Sequence, residues 1–134
     1  MNILDSSAWL EVLVDGPNAQ KFLDVIEDAN LVVPAITIFE VTKTTRRLRS
    51  EKESKRIESQ MRWFQVVDLT ADRASAASAV STKYKLPMAD SIIYSAALEF
   101  NATVWTQDED FEGLAQVQYL LKHSSAAKSD SKRI

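Results

Sequence analysis

Short apolar runs recur along the chain, separated by longer stretches in which apolar residues repeat every three or four positions. Runs of this length, bounded by proline, glycine or polar residues, predict buried strands at 2–5, 31–33, 64–69, 103–106 and, as a candidate edge strand, 117–121. The longer stretches predict helices at 6–14, 19–28, 71–84 and 88–100, and a helix after Pro34 that is followed by a basic segment. Strands that alternate with helices predict an α/β fold, in which helices cover both faces of a central parallel sheet.

Length and composition limit this fold to one domain. The 134 residues are 46% hydrophobic, which fits a packed globule and argues against disorder. We expect the domain to span residues 1–121, and the polar residues 122–134 to form a disordered tail. No apolar run reaches the roughly 18 residues that a membrane span needs, and the chain begins directly with a short apolar strand. Both features indicate a cytoplasmic protein without a membrane partner.

The rarest residues exclude several kinds of chemistry. The chain has no cysteine, which rules out zinc–thiolate sites, disulfides and thiol nucleophiles. Its one histidine, His123, lies in the polar C-terminal stretch, where it is poorly placed for a catalytic triad. With only two glycines, Gly16 and Gly113, the chain lacks a P-loop and a glycine-rich dinucleotide motif. Phosphate recognition would therefore depend on a metal ion or on basic side chains.

Four acidic residues lie where a predicted strand leads into a helix or just inside a helix: Asp5, Glu40, Asp90 and Asp108. Each aspartate, taken singly, has a structural explanation. Asp5 could cap the first helix, and Asp90 suits a helix N-terminus, where the backbone dipole favours negative charge. Asp108 lies inside the capping-box pattern that Thr106 forms with Glu109.

Glu40 and the joint pattern point beyond capping. Glu40 lies beside Ile36 and Phe39, close to the apolar face of its helix, and a buried charge needs a partner such as Lys43 or Thr44. The carboxyl ends of parallel strands meet at one edge of the sheet, so all four acids could converge there. Oxygen ligands without histidine or cysteine favour Mg²⁺, with Mn²⁺ as a substitute. The four acids therefore predict an acidic metal pocket.

Charge is unevenly distributed along the chain. The net charge is −3, yet eight of the sixteen basic residues lie between Lys43 and Arg62, against three acidic residues. A basic segment on an acidic body indicates a polyanionic partner, and it fits equally well a solvated helix pair with exposed ion pairs. As candidate RNA-binding residues we single out Lys43, Arg46, Arg47 and Arg49.

The motifs that carry the acids resemble those of PIN-domain nucleases, in the same order along the chain: Ile3-Leu4-Asp5-Ser6-Ser7, Ile36-Thr37-Ile38-Phe39-Glu40, Leu86-Pro87-Met88-Ala89-Asp90-Ser91-Ile92-Ile93 and Thr106-Gln107-Asp108-Glu109-Asp110-Phe111. In size the chain is most similar to the VapC-like toxins of bacterial and archaeal toxin–antitoxin pairs. The resemblance covers residues 1–119, and nothing from Lys122 onward matches it. It implies a three-layer α/β/α PIN-like fold with a central parallel sheet of four to five strands.

The resemblance also implies an activity, a cofactor and partners. The activity is endoribonuclease cleavage with Mg²⁺ or Mn²⁺, in which the four acids named above are both catalytic and metal-binding. Ser7 and Thr106 match hydroxyl positions of the family, and Asp110 matches a less regular acid, so we assign these three to supporting roles around the ligands. The implied partners are a structured RNA such as a transfer RNA or a ribosomal loop, an antitoxin whose C-terminal segment enters the acidic groove, and a second copy of the chain in a homodimer.

From the ligands we expect hydrolysis by a metal-activated water, with Glu40 orienting that water or binding a second metal.

Other classes of protein remain open on the residues alone. A Mg²⁺-dependent aspartyl phosphotransfer protein or phosphatase would also place an aspartate after the first strand. However, Ser7 stands where such a phosphatase normally has its second aspartate, and Thr106-Gln107 offers no lysine for a receiver domain. A further interpretation is a non-catalytic domain whose acidic groove binds a basic peptide.

Overall fold

The computed structural model describes residues 1–28 and 30–123, in which strands and helices alternate as the sequence predicts. Its strands are β1 (Asn2–Leu4), β2 (Val32–Pro34), β3 (Gln65–Val67), β4 (Thr103–Thr106) and β5 (Val117–Tyr119). Its helices are α1 (Ser6–Leu13), α2 (Ala19–Glu27), α3 (Ala35–Leu48), α4 (Glu51–Arg62), α5 (Ala71–Tyr84) and α6 (Met88–Phe100), with a short 3₁₀ helix at Glu109–Phe111. Within this described part, no helix is both long and apolar enough to cross a membrane. The predicted disordered tail lies, from residue 124 onward, outside the described residues, and the boundary after residue 121 stays a prediction.

The five strands form one parallel arrangement built from two ladders. One ladder has the order β1-β4-β5, and the other pairs β2 with β3. A parallel bridge between Asn2 and Leu31 joins them, supported by a bond from the Asn2 amide to the Asn30 carbonyl at 2.9 Å. The spatial order is therefore β3-β2-β1-β4-β5, which confirms the prediction of a parallel sheet with four to five strands. Pro34, predicted to follow β2, is its last residue, where the missing N–H is tolerated.

Hydrophobic side chains fill both faces of this sheet. Neighbouring residues of β1 point to opposite sides, so Ile3 belongs to one buried cluster and Leu4 to the other. The first cluster is closed by α5 and α6, with Tyr94 among its largest buried side chains. The second is closed by α1, α2, α3 and α4, with Phe22 and Met61 fully buried. The two clusters confirm the three-layer α/β/α architecture.

The basic segment forms a hairpin of α3 and α4. Ser50 ends the turn between them, and its hydroxyl accepts from the Glu53 amide at 3.1 Å as the N-cap of α4. The Ser54 hydroxyl is buried and donates to the Thr42 carbonyl at 3.0 Å, which ties the two helices together. This buried contact holds α3 and α4 together, while the charged residues of the hairpin lie on the outside.

The turn between α1 and α2 leads to a first prediction, for Gly16→Ala. The buried carboxylate of Glu11 accepts from the Asn18 amide at 2.8 Å, and a Cβ atom on Gly16 would overlap that carboxylate. The substitution must displace Glu11 and break its bond, so we expect unfolding to become easier by about 1–2 kcal/mol. Urea unfolding measures the loss. Gly113→Ala is unsuitable as a control because Gly113 has a φ of 86°; Ser78→Ala, on exposed α5, should leave stability nearly unchanged.

Candidate metal centre and active site

The register of β1 and β4 brings two distant motifs together. Leu4 pairs with Trp105. The next residues, Asp5 and Thr106, therefore lie at the ends of two neighbouring strands, at the same edge of the sheet. The Thr106 hydroxyl donates to Asp5 Oδ2 at 2.6 Å, and the Ser7 hydroxyl donates to Asp5 Oδ1 at 2.7 Å. Both oxygens of one carboxylate are therefore held by the two hydroxyl residues that the sequence assigned to supporting roles.

Asp5 combines a helix cap with a buried charge. Its Oδ1 atom accepts from the Ala8 amide at 3.0 Å, so Asp5 is also the N-cap of α1, as the structural explanation predicted. The side chain is only 2% exposed. Burial raises the pKa of Asp5 to about 6, although the bonds from Thr106, Ser7 and Ala8 act in the opposite direction. A capping role alone requires neither this burial nor the two hydroxyl donors.

The same hydroxyls fix the loop that follows β4. Ser7 Oγ accepts from the Gln107 amide at 3.0 Å, and Thr106 Oγ1 accepts from the Asp108 amide at 2.8 Å. Each hydroxyl thus donates to Asp5 and accepts from the loop, which sets the position of Asp108 relative to the Asp5 carboxylate. Such relays orient acidic ligands in metal sites.

The capping-box explanation for Asp108 is wrong. The Thr106 hydroxyl accepts from the Asp108 amide, not from the Glu109 amide that a capping box would use, and the N-cap lies two residues later. Asp108 itself is the N-cap, and its Oδ1 atom accepts from the Asp110 amide at 2.9 Å. This turn directs Asp108 and Asp110 toward the same region.

Three carboxylates converge at this edge of the sheet. One oxygen from each of Asp90, Asp108 and Asp110 lies within 4.8 Å of the other two. Asp90 is half-buried in the first turn of α6. Its pKa is raised to about 7, first by burial and then by the charges of Asp108, Asp5, Asp110 and Glu40. The charges of the three other predicted acids act on Asp90, but the converging oxygens come from Asp90, Asp108 and Asp110, the last of which was assigned only a supporting role. The Asp-x-Asp spacing of 108 and 110 was the available signal for this.

Glu40 approaches the cluster without the partner expected for it. Its Oε1 atom is buried and has no hydrogen-bond partner within the described part of the chain. Lys43, one of the two predicted partners, instead places its Nζ atom 5.6 Å from the centroid of the Phe39 ring. An unpartnered buried carboxylate oxygen is costly in the free protein. It is a candidate acceptor for water or a ligand.

The donor set suits a hard divalent cation. All the converging atoms are carboxylate oxygens, which Mg²⁺ and Mn²⁺ prefer. The mutual repulsion that contributes to the raised pKa of Asp90 is what a bound cation would remove. Neither feature is needed for a helix cap. The group of Asp90, Asp108 and Asp110 is therefore a candidate metal site.

The candidate RNA-binding residues fall into two groups. Arg46 pairs with Glu51, and Arg49 lies 3.6 Å from the Glu53 carboxylate, as the solvated-hairpin interpretation anticipates. Lys43 and Arg47 are exposed and form no ion pair among residues 1–28 and 30–123. RNA binding by this segment stays a prediction.

Comparison with known proteins identifies the family. A profile described as the PIN domain matches residues 3–117. A toxin–antitoxin complex from Klebsiella pneumoniae has a similar chain, with a TM-score of 0.74 and 21% identity over 92% of this chain and 100% of the other. VapC20 of Mycobacterium tuberculosis, described as a Sarcin-Ricin loop cleaving toxin, has a TM-score of 0.69 and 12% identity over 87% and 98%.

A third similar structure is VapBC2 from Rickettsia felis, bound to a DNA fragment from its promoter. Its TM-score is 0.69, with 12% identity over 89% of this chain and 98% of that one. A search of curated proteins gives no significant match. The structural likenesses show the fold, and the profile match extends over most of the chain, including all four predicted acids. The chain belongs to the PIN domain family.

Proposed function

We propose that this protein is a Mg²⁺- or Mn²⁺-dependent endoribonuclease and acts as the toxin of a toxin–antitoxin pair. The observation that carries the proposal is the convergence of Asp90, Asp108 and Asp110 within 4.8 Å, beside a buried Asp5, in a PIN domain. The similarity to a chain of a toxin–antitoxin complex and to a Sarcin-Ricin loop cleaving toxin supports a structured RNA as the substrate class.

Each residue of the cluster has a defined task in this proposal. Asp90, Asp108 and Asp110 would hold the cation, with Asp5 as a further carboxylate of the same pocket. When bound, Mg²⁺ or Mn²⁺ supplies positive charge against the phosphate and makes water more acidic. Ser7 and Thr106 hold Asp5 in one orientation through their hydroxyl bonds.

Glu40, whose side chain is half-buried, would orient the attacking water through its carboxylate. The water oxygen forms the new bond to phosphorus, and the bond from phosphorus to the 3′-oxygen breaks. The proton of the attacking water passes to Glu40, and the leaving oxygen takes a proton from solvent. Because the 2′-hydroxyl takes no part, the products should carry 5′-phosphate and 3′-hydroxyl ends.

A cleavage assay tests the proposal directly. The purified protein, incubated with total RNA, should cut it in Mg²⁺ or Mn²⁺ and stop in EDTA. Ligation-based mapping should find 5′-phosphates at the cut sites. Products ending in 2′,3′-cyclic phosphate, or cutting that EDTA leaves unchanged, would contradict the mechanism. Tight peptide binding without cleavage in either metal would favour the non-catalytic interpretation.

The aspartyl phosphotransfer interpretation is disfavoured by the burial of Asp5. A phosphoacceptor must be reached by its donor, whereas Asp5 is 2% exposed and both its oxygens are engaged in hydrogen bonds. Small phosphodonors should therefore leave the protein unphosphorylated.

The proposed antitoxin has a candidate contact surface outside the acidic pocket. A groove of about 630 Å³ runs between α1, α2 and α4. It is largely apolar, is lined by Trp9 and Phe64, and is bordered by Trp63, which is 85% exposed. An amphipathic segment of the antitoxin would fill such a groove before its end reaches the acids.

Homodimerisation stays a separate proposal, tested by light scattering of the free protein.

A further inference from the structure

An exposed aromatic residue directly precedes one of the four predicted acids. Phe39 directly precedes Glu40 on α3 and is 58% exposed, whereas phenylalanine is among the residues most often buried. Glu40 is close enough to Asp90 for its charge to affect that carboxyl group, and α3 packs against α6. Phe39 is therefore the direct neighbour, along α3, of an acid whose charge acts on Asp90.

One cation already accompanies this ring. The Lys43 ammonium lies 5.6 Å from the Phe39 ring centroid, one helical turn further along α3. It makes no ion pair in the described ranges, so its charge is available to an anion. A flat apolar surface and a free positive charge are thus presented side by side.

A second exposed apolar side chain flanks the cluster on the neighbouring helix. Met88 begins α6, two residues before Asp90, and is 74% exposed. The acidic pocket itself repels a polyanion until a cation is bound. Substrate affinity must therefore come from contacts around the pocket, and apolar surfaces beside it favour contacts with bases over contacts with phosphates alone.

We infer that the Phe39 ring stacks on an unpaired base of the RNA next to the cleaved phosphate, while Lys43 contacts a backbone phosphate of the same segment. The inference rests on the proposed ribonuclease function and assigns to Phe39 the contact with an unpaired base of that substrate. A base inside a duplex is stacked on both faces by its neighbours, so neither face is free to contact the Phe39 ring. Stacking is tolerant of sequence because every base has such a face.

Three variants distinguish stacking from simple apolar contact. In cleavage of an unstructured decamer, Phe39→Ala and Phe39→Leu should each raise KM by about 5- to 100-fold, with kcat within about threefold of the parent value. Phe39→Tyr keeps the ring and should retain the parent KM. Leu48→Ala removes a comparably exposed apolar side chain near the end of α3 and serves as the matched control. The Tm of each variant confirms that it is folded.

Binding and cross-linking keep the test independent of catalysis. Fluorescence anisotropy with Ca²⁺ in place of Mg²⁺, which keeps a cation against the acids, should show the parent preferring the decamer to its blunt duplex, and Phe39→Leu losing that preference. A decamer carrying one 5-iodouracil should cross-link, on irradiation, to the peptide that contains Phe39. If the parent does not cleave RNA, the proposed function fails while these two measurements still decide the inference.

Two outcomes would overturn the inference. A Phe39→Leu variant that binds and cleaves like the parent, while Phe39→Ala does not, would show that only apolar contact is needed. A Phe39→Ala variant with unchanged KM but an altered oligomeric state by sedimentation would assign the ring to a contact between copies of the chain.

Discussion

Replacing Asp90 with asparagine is expected to abolish most RNA cleavage and, at the same time, to stabilise the metal-free protein. The carboxylate shares its site with Asp108 and Asp110, and removing its charge weakens the hold on the cation. Metal ions contribute several kcal/mol of transition-state stabilisation, so cleavage should fall by about 100-fold or more.

The stability gain follows from the raised pKa. Burial, and then the charges of the nearby acids, raise the pKa of Asp90 from its ordinary value of 3.8 to about 7 in the folded protein. The ionised form is therefore disfavoured by folding, and the parent loses stability as pH rises from about 4 through about 7. Because Asp90 is partly exposed, solvent screening reduces the effect, and we expect a gain of about 1–2 kcal/mol at pH 8.

Thermal unfolding in EDTA measures this gain. The Tm of Asp90→Asn should exceed that of the parent by about 3–6 °C at pH 8 and by little at pH 4. Adding Mg²⁺ should raise the Tm of the parent more than that of the variant. The matched control is Asp72→Asn, which removes an exposed acid from the first turn of α5 and should not be stabilising. A lower Tm for Asp90→Asn in EDTA would show that Asp90 is a structural residue.

Replacing Thr106 with valine is expected to produce the largest loss of stability among the predicted variants. Valine has the shape of threonine, so packing is preserved and only the hydroxyl is lost. That hydroxyl donates to the buried Asp5 carboxylate and accepts from the Asp108 amide. Losing both bonds leaves a buried charge short of a donor and an amide without an acceptor, at a cost of about 2–4 kcal/mol.

The pH dependence of this loss has a definite sign. The pKa of Asp5 is about 6, so the carboxylate is ionised above that value and neutral well below it. The missing donor matters most to the ionised form. Urea unfolding should therefore show a larger difference between variant and parent at pH 8 than at pH 5. Thr106→Ser keeps the hydroxyl and should recover most of the stability; equal losses for serine and valine would contradict the hydroxyl explanation.

The pattern of apolar residues was sufficient to predict the layers of the fold, because periodicity depends only on residues that are close together in the sequence. The runs at β1 and β4 and the helical spacing of α6 were readable in this way, as was the order of the acidic motifs. Boundaries were less accurate where local rules compete. Pro34 reads as a stop, yet it ends β2 inside the ladder because a terminal strand position does not need its N–H.

What the sequence by itself determined is most of the strands and helices and the chemical character of the pocket: acidic, without histidine or cysteine, and suited to a hard cation. The tertiary structure alone decided which groups meet. The pairing of β1 with β4 placed Thr106 beside Asp5, and the turn after β4 brought Asp110 to Asp90. It also left Glu40 unpartnered and Lys43 over Phe39. Such contacts depend on strand register and helix packing between distant segments, which local spacing does not specify.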